Sequence, residues 1–171
     1  MELDKEIIDS FQEEANSILE ELRGIIDQLE DSKDTFPKTL LEEFANKTDR
    51  IMGAAKTFGD MYPDHAVFGQ IGKFGELCKA TGYKASTLNH IGLVPIFAAF
   101  WADALDILDE LCKNVGDPEK LKGVTTNYIP ILQKRLVWLA QQIVTITKGA
   151  GAAEAAKINV DGLLKKMGID V

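Results

Sequence analysis

The sequence predicts an all-α fold, an antiparallel bundle of four or five helices with a short C-terminal helix after it. Three observations predict it. Apolar residues recur in steps of three and four along most of the chain, no segment alternates apolar and polar residues as a half-buried strand does, and the polar breaks between periodic segments are short. With 171 residues and 46% hydrophobic content, the chain can bury a core without disulfide staples.

The first helix runs from Leu3 to Leu29, with Leu3, Ile7, Phe11, Ala15, Ile18, Leu22, Ile25 and Leu29 on one face and acids between them. "EDSKDTFP" ends it, and Pro37 stands where a first-turn proline helps to start the next helix. That second helix, about Lys38 to Phe58, turns Phe44, Thr48, Ile51, Ala55 and Phe58 to one side, and Gly59 reads as its C-terminal stop. After the turn "DMYPDH", a third helix from about His65 to Thr81 carries Val67, Ile71, Phe74 and Cys78 inward and closes at Gly82. Its glycines, Gly69, Gly72 and Gly75, make it the weakest helix by propensity unless another backbone packs on them.

The fourth helix starts near Thr87 or Leu93 and ends near Val115. It buries Phe97, Phe100, Trp101, Ala104, Leu108 and Leu111, and Pro95 kinks or starts it. "GDPEKLKG" reads as a connection to a fifth helix, about Asn127 to Lys148, with Ile129, Leu132, Leu136, Leu139, Ile143 and Ile146 as its seam. The bundle thus occupies residues 1–148, and residues 149–171 form a Gly/Ala linker, "KGAGAAEAAK", and a last short helix from Val160 to Met167.

A net charge of −8 argues against nucleic-acid binding, because such proteins display a basic surface to phosphates. No basic segment leads into an apolar stretch at the N-terminus, and "IGLVPIFAAFWA" falls short of the ~20 residues a bilayer span needs. The expectation is a cytoplasmic protein without membrane insertion. Cys78 and Cys112 stand alone, without CxxC spacing, as packed reduced thiols.

Most chemistries lack their residues. His65 and His90 are too few and too far apart for zinc, and no HExxH, EF-hand loop or ExxH pattern is present. Neither "KGAGAAEAAK" nor "GQIGKFG" has the form of a phosphate loop. Asp103, Asp106 and Glu110 read as a solvated helix face. No cofactor, metal or catalytic residue is expected, and the chain is not read as an enzyme.

One stripe of the second helix stands out. Asp49, Met52, Gly53 and Lys56 recur at i, i+3, i+4 and i+7, away from the Phe44/Ile51/Phe58 face. The stripe combines an acid, a thioether, a bare backbone patch and a base, and Gly53 costs roughly 1 kcal/mol against alanine within a helix. Spacing alone leaves two readings open: a docking surface, or a glycine facing another helix of the same bundle.

The segment "TDRIMGAAKTFG", preceded by the acidic helix "IIDSFQEEANSILEELRGIIDQLED", resembles the histidine phosphotransfer domain, in particular the first domain of the chemotaxis histidine kinase. The family motif is H-x-[LI]-K-G-x-[AS]-x-x-[LF]-G on the second helix. Ile51 falls on the aliphatic position, Gly53 on the glycine, Ala55 on the small residue, and Phe58 and Gly59 on the closing pair. The likeness covers roughly residues 3–115, and the fifth helix fits the larger chemotaxis-kinase version. Two positions depart from it: Asp49 stands at the phosphorylated histidine, and Met52 at the lysine that steadies the phosphoryl group. The resemblance therefore implies a bundle that has lost phosphotransfer chemistry but kept a docking notch at Gly53, with Asp49 at most a partial mimic of a phosphoryl group.

The resulting expectation is a non-catalytic adaptor in bacterial two-component or chemotaxis-like signalling. It binds a receiver domain or a histidine-kinase component through Asp49, Met52, Gly53 and Lys56, with Lys47 or Arg50 at the rim. Two alternatives stand beside it: an active phosphotransfer protein using His65 or His90, and an unrelated helical scaffold or dimerisation module. Homo-oligomerisation is left open. Gly53 is solvent-exposed under the first expectation and buried under the scaffold reading.

Overall fold

The computed structural model describes residues 3–147 and residue 162; the expected linker and last helix, residues 149–171, otherwise lie outside the described residues. The fold is an all-α bundle. Five helices, α1 (Lys5–Asp31), α2 (Lys38–Met61), α3 (Ala66–Leu88), α4 (Val94–Lys113) and α5 (Pro118–Thr147), follow one another with a single 3-10 turn, Ile91–Leu93, before α4. No strand occurs among the described residues.

Helices α1 to α4 form a ring, in which α1 packs on α2 and α4 while α3 packs on the same two helices from the other side. Helix α5 lies mainly against α4 and the 3-10 turn. Paired residues give the direction. Asn46 meets Tyr83, Asp49 meets Lys79 and the Met52 side chain meets Gly75, so numbers rise on α2 as they fall on α3. The same holds for Gln12 and Arg23 of α1 against Cys112 and Asp106 of α4.

The core runs along the centre of this ring. Phe11, Phe44, Phe68, Phe97, Phe100 and Trp101 are all at most 1% exposed. Phe44 stacks on Trp101 at 4.3 Å between ring centroids. Trp101 Nε1 donates to Thr81 Oγ1 at 2.8 Å, and that hydroxyl donates onward to the Leu77 carbonyl, so the indole brings no unmet donor into the core. Cys78 and Cys112 are buried free thiols. Burial pushes the Cys78 thiol up to about 12 and raises Cys112 as well, the expected result of withholding water from a thiolate.

Several expected boundaries are corrected. Helix α2 does not stop at Gly59 but runs to Met61, capped where Tyr62 N–H donates to the Phe58 carbonyl. Helix α3 continues through Gly82 to Leu88 and ends at Asn89 in the left-handed region, φ 48°. Gly82 is a packing residue there: a Cβ on it would stand 2.9 Å from Ala45 Cβ and 3.3 Å from Ala45 Cα. Pro95 lies in the first turn of α4, so it starts that helix without kinking it.

The largest difference is at α5. All of "GDPEKLKG" after its first two residues belongs to α5 and not to a connection, because Pro118 opens the helix and Asp117 Oδ1 accepts the Lys120 backbone N–H at 3.1 Å. The helix passes through Pro130 on its exposed face, where water can serve the carbonyl that proline leaves unpaired. Ile91–Lys113, a longer segment than the apolar stretch itself, is long and apolar enough, by length and composition alone, to cross a membrane. Its apolar side chains, Phe97, Phe100, Trp101 and Leu108 among them, are spent on the bundle core.

Candidate functional site: a groove between the second and third helices

The expected stripe borders an open groove of about 660 Å³ between α2 and α3. Asp49, Met52, Gly53 and Lys56 line it from α2. Its other wall comes from α3, through His65 at the helix start and Phe68, Gly69 and Gly72 beyond it. Ala55 and Phe68, each about 1% exposed, form an apolar floor.

Gly53 is exposed, and nothing lies within 4 Å of the position a Cβ would take. Packing inside the bundle therefore does not explain this glycine. The same is true of Gly69 and Gly72, which also have nothing within 4 Å. Each mid-helix glycine costs roughly 1 kcal/mol against alanine, so about 3 kcal/mol of helix stability is given up at three positions on one groove. Gly75 differs from them: a Cβ there would stand 2.5 Å from Met52 Cγ.

That contact relocates Met52. In place of a thioether projecting to solvent, its side chain is half-buried across α3 at Gly75 and closes one end of the groove. Asp49 is exposed at the same end, and its Oδ1 accepts from Lys79 Nζ at 2.7 Å. The Asp49 hydrogen bond holds the Lys79 ammonium above the usual lysine range. The carboxylate is thus a partnered charge, and one turn on, Tyr83 and Asn46 add a side-chain hydrogen bond between the same helices.

Arg50 and Lys47 turn the other way. Arg50 donates to both carboxylate oxygens of Glu21 on α1, at 2.9 and 3.0 Å, and Lys47 reaches Glu21 at 2.7 Å. Neither residue lines the groove. The hydrogen bonds from Lys47 and then Arg50 hold the Glu21 carboxyl below its ordinary range. Lys56, by contrast, is exposed and has no charged partner among the described residues.

The two histidines occupy different settings. His65 precedes α3, meets Tyr62 edge-on at 6.3 Å between ring centroids, and borders the groove. His90 precedes the 3-10 turn, its Nδ1 buried without a hydrogen-bond partner and its ring close to Gly92. It is not part of the groove lining.

Reading the sequence alone located the α2 half of this site and missed the α3 half. The signal was present in the three-residue spacing of Gly69, Gly72 and Gly75, but pattern alone does not separate a glycine that receives a neighbouring side chain from one that opens to solvent. No protein-family model, curated protein or solved structure matches this chain.

Proposed function

We propose that this chain is a non-catalytic adaptor of the histidine-phosphotransfer type, which binds a receiver domain or a histidine-kinase component in two-component or chemotaxis-like signalling. Its contact surface is the α2–α3 groove, and Arg50 and Lys47 are left out of it. A cytoplasmic location, and the absence of cofactor, nucleic-acid and membrane binding, belong to the same proposal.

The observation that carries it is the exposure of Gly53 above an apolar floor, with open space where a side chain would stand. A bare helix backbone beside an apolar trough lets another protein approach closely and bury surface. The residues at Asp49 and Met52 support the loss of chemistry. Asp49 offers no imidazole and is engaged by Lys79, while Met52 is packed on Gly75 and brings no cation.

The test is a titration of the isotope-labelled full chain with purified receiver domains, read at its glycine amides. Movement of the Gly53, Gly69 and Gly72 signals on adding a receiver is the expected result. If no receiver moves them, the proposal fails. A second reading is favoured by one observation, namely that His65 borders the same groove. Phosphotransfer through His65 predicts acid-labile label after incubation with a histidine kinase and labelled ATP, lost in His65→Ala; an unlabelled protein removes that reading.

A further inference from the structure

We infer that residues 160–167 of this same chain dock as a helix in a groove between α4 and α5, laying an apolar face over Tyr128 and Ile131 and setting Lys166 beside Glu110. The inference is independent of the α2–α3 groove and of the partner proposed for it.

Helix α5 leaves apolar surface unpartnered. Among the described residues, four of the seven exposed large apolar side chains belong to it: Tyr128, Ile131, Val137 and Val144. Tyr128 and Ile131, 40% and 49% exposed, stand one turn apart in an open groove of about 370 Å³ whose other wall is α4. That wall carries Asp103, Asp106, Asp109 and Glu110, with Ile107 buried among them. Three of the acids are paired: Asp103 with Arg135 at 3.0 Å, Asp106 with Arg23 at 2.9 Å and Asp109 with Lys113 at 2.6 Å. Glu110 forms no ion pair and meets only Asn114 Nδ2, at 3.5 Å. The groove therefore suits an apolar occupant that brings one cation to its Glu110 end, where covering the carboxylate without a partner is unfavourable.

The chain supplies such an occupant. In a protein of net charge −8, residues 157–168, "KINVDGLLKKMG", hold three lysines and one acid. Val160, Leu163, Leu164 and Met167 recur at i, i+3, i+4 and i+7, which at 100° per residue gathers them within about 100° of one another, and Lys157 and Lys166 flank that face. Gly162, inside the segment, is helical. Length and direction agree as well. Asp103 pairs with Arg135 at one end of the groove while Glu110 and Tyr128 share the other, so α4 and α5 run antiparallel along it. From Tyr128 to Arg135 is about 10 Å of helix, or two turns, the same length as residues 160–167. Along α5, Arg135 lies about 18 Å and Tyr128 about 29 Å before Thr147. Residues 148–159 span about 40 Å when extended, so the segment reaches the groove by doubling back along α5, which brings Lys166 and Met167 to the Glu110–Tyr128 end. Tethering holds it there at an effective concentration on the order of mM, an advantage that a free helix of the same chemistry lacks.

The experiment places a nitroxide label on Gly168→Cys in the isotope-labelled full chain; Cys78 and Cys112 are buried and do not compete for it. The Ile107, Glu110, Tyr128 and Ile131 amides are expected to broaden while those of Gly53 and Gly69 stay sharp. Leu163→Asp with Leu164→Asp, checked for an unchanged helical spectrum, is expected to abolish the broadening. Glu110→Lys is expected to weaken it, and adding Lys166→Glu to that variant to restore it. Broadening confined to the last turn of α5, broadening that survives the two aspartates, or a charge exchange that restores nothing would overturn the inference. A mixture of isotope-labelled chain without nitroxide and unlabelled chain with it identifies the donor of the segment. The mixture is expected to show no broadening at α4 and α5; broadening there would assign the groove to a second copy and overturn docking within one chain.

Discussion

Gly53 and Gly82 are the same residue type doing opposite work. Gly53 stands in open space, so Gly53→Ala gains helix propensity and is expected to stabilise the protein by about 1 kcal/mol. Gly82 lies under Ala45, where a Cβ at 2.9 Å forces the backbone apart. An overpacking cost of about 1–3 kcal/mol exceeds the propensity gain, so Gly82→Ala is expected to destabilise by about 1 kcal/mol net. Urea denaturation of the two variants checks both signs. Glu21 gives a pH test at the same scale. Lys47 and Arg50 hold its folded carboxyl below the ordinary 4.5, so its contribution is present above that value and is lost as pH falls through the lower folded value. Glu21→Gln is therefore expected to lower the urea midpoint at pH 7 and to lower it less at pH 3. An equal loss at both pH values would show that the variant acts through packing instead of charge.

At the scale of the elements, the periodic apolar seams of α1, α2 and α4 made those helices readable, because each buries one continuous face in a single ring. Helix ends were less legible. Gly59 and Gly82 resemble C-terminal stops, yet helices pass through both; Ala45 packs where a Cβ of residue 82 would stand, whereas at Gly59 the nearest atom, Phe68 Cβ, is at ordinary contact distance, 3.4 Å. The start of α5 was missed because its first turn, Pro118 to Leu121, is mostly polar and carries no seam, although the Asp-Pro pair is itself a start signal. Asp117→Ala removes the acceptor for the Lys120 N–H and is expected to cost about 0.5–2 kcal/mol. Thermal denaturation of that variant beside Asn127→Ala, outside the first turn, measures the difference; equal losses would contradict the cap assignment.

At the scale of the molecule, ring closure turns separate helix faces into a site. The stripe of Asp49, Met52, Gly53 and Lys56 was legible because it lies on one helix and follows one period. Which of its residues point into a groove was not, since that depends on α3: Gly75 receives Met52, Lys79 neutralises Asp49, and Gly69 and Gly72 open beside Gly53. Arg50 was assigned to the rim from sequence neighbourhood alone, while Glu21 of α1 draws it to the opposite flank. The central claim is that a signalling partner docks at Gly53. Its most direct test is the calorimetric affinity of a bound receiver domain for the wild-type chain and for Gly53→Arg, with the melting temperature of both measured alongside. The account predicts at least ~10-fold weaker binding with a melting temperature no lower than that of the wild type, because the new side chain replaces a mid-helix glycine and projects into open space. Unaltered affinity in a folded Gly53→Arg variant would contradict it.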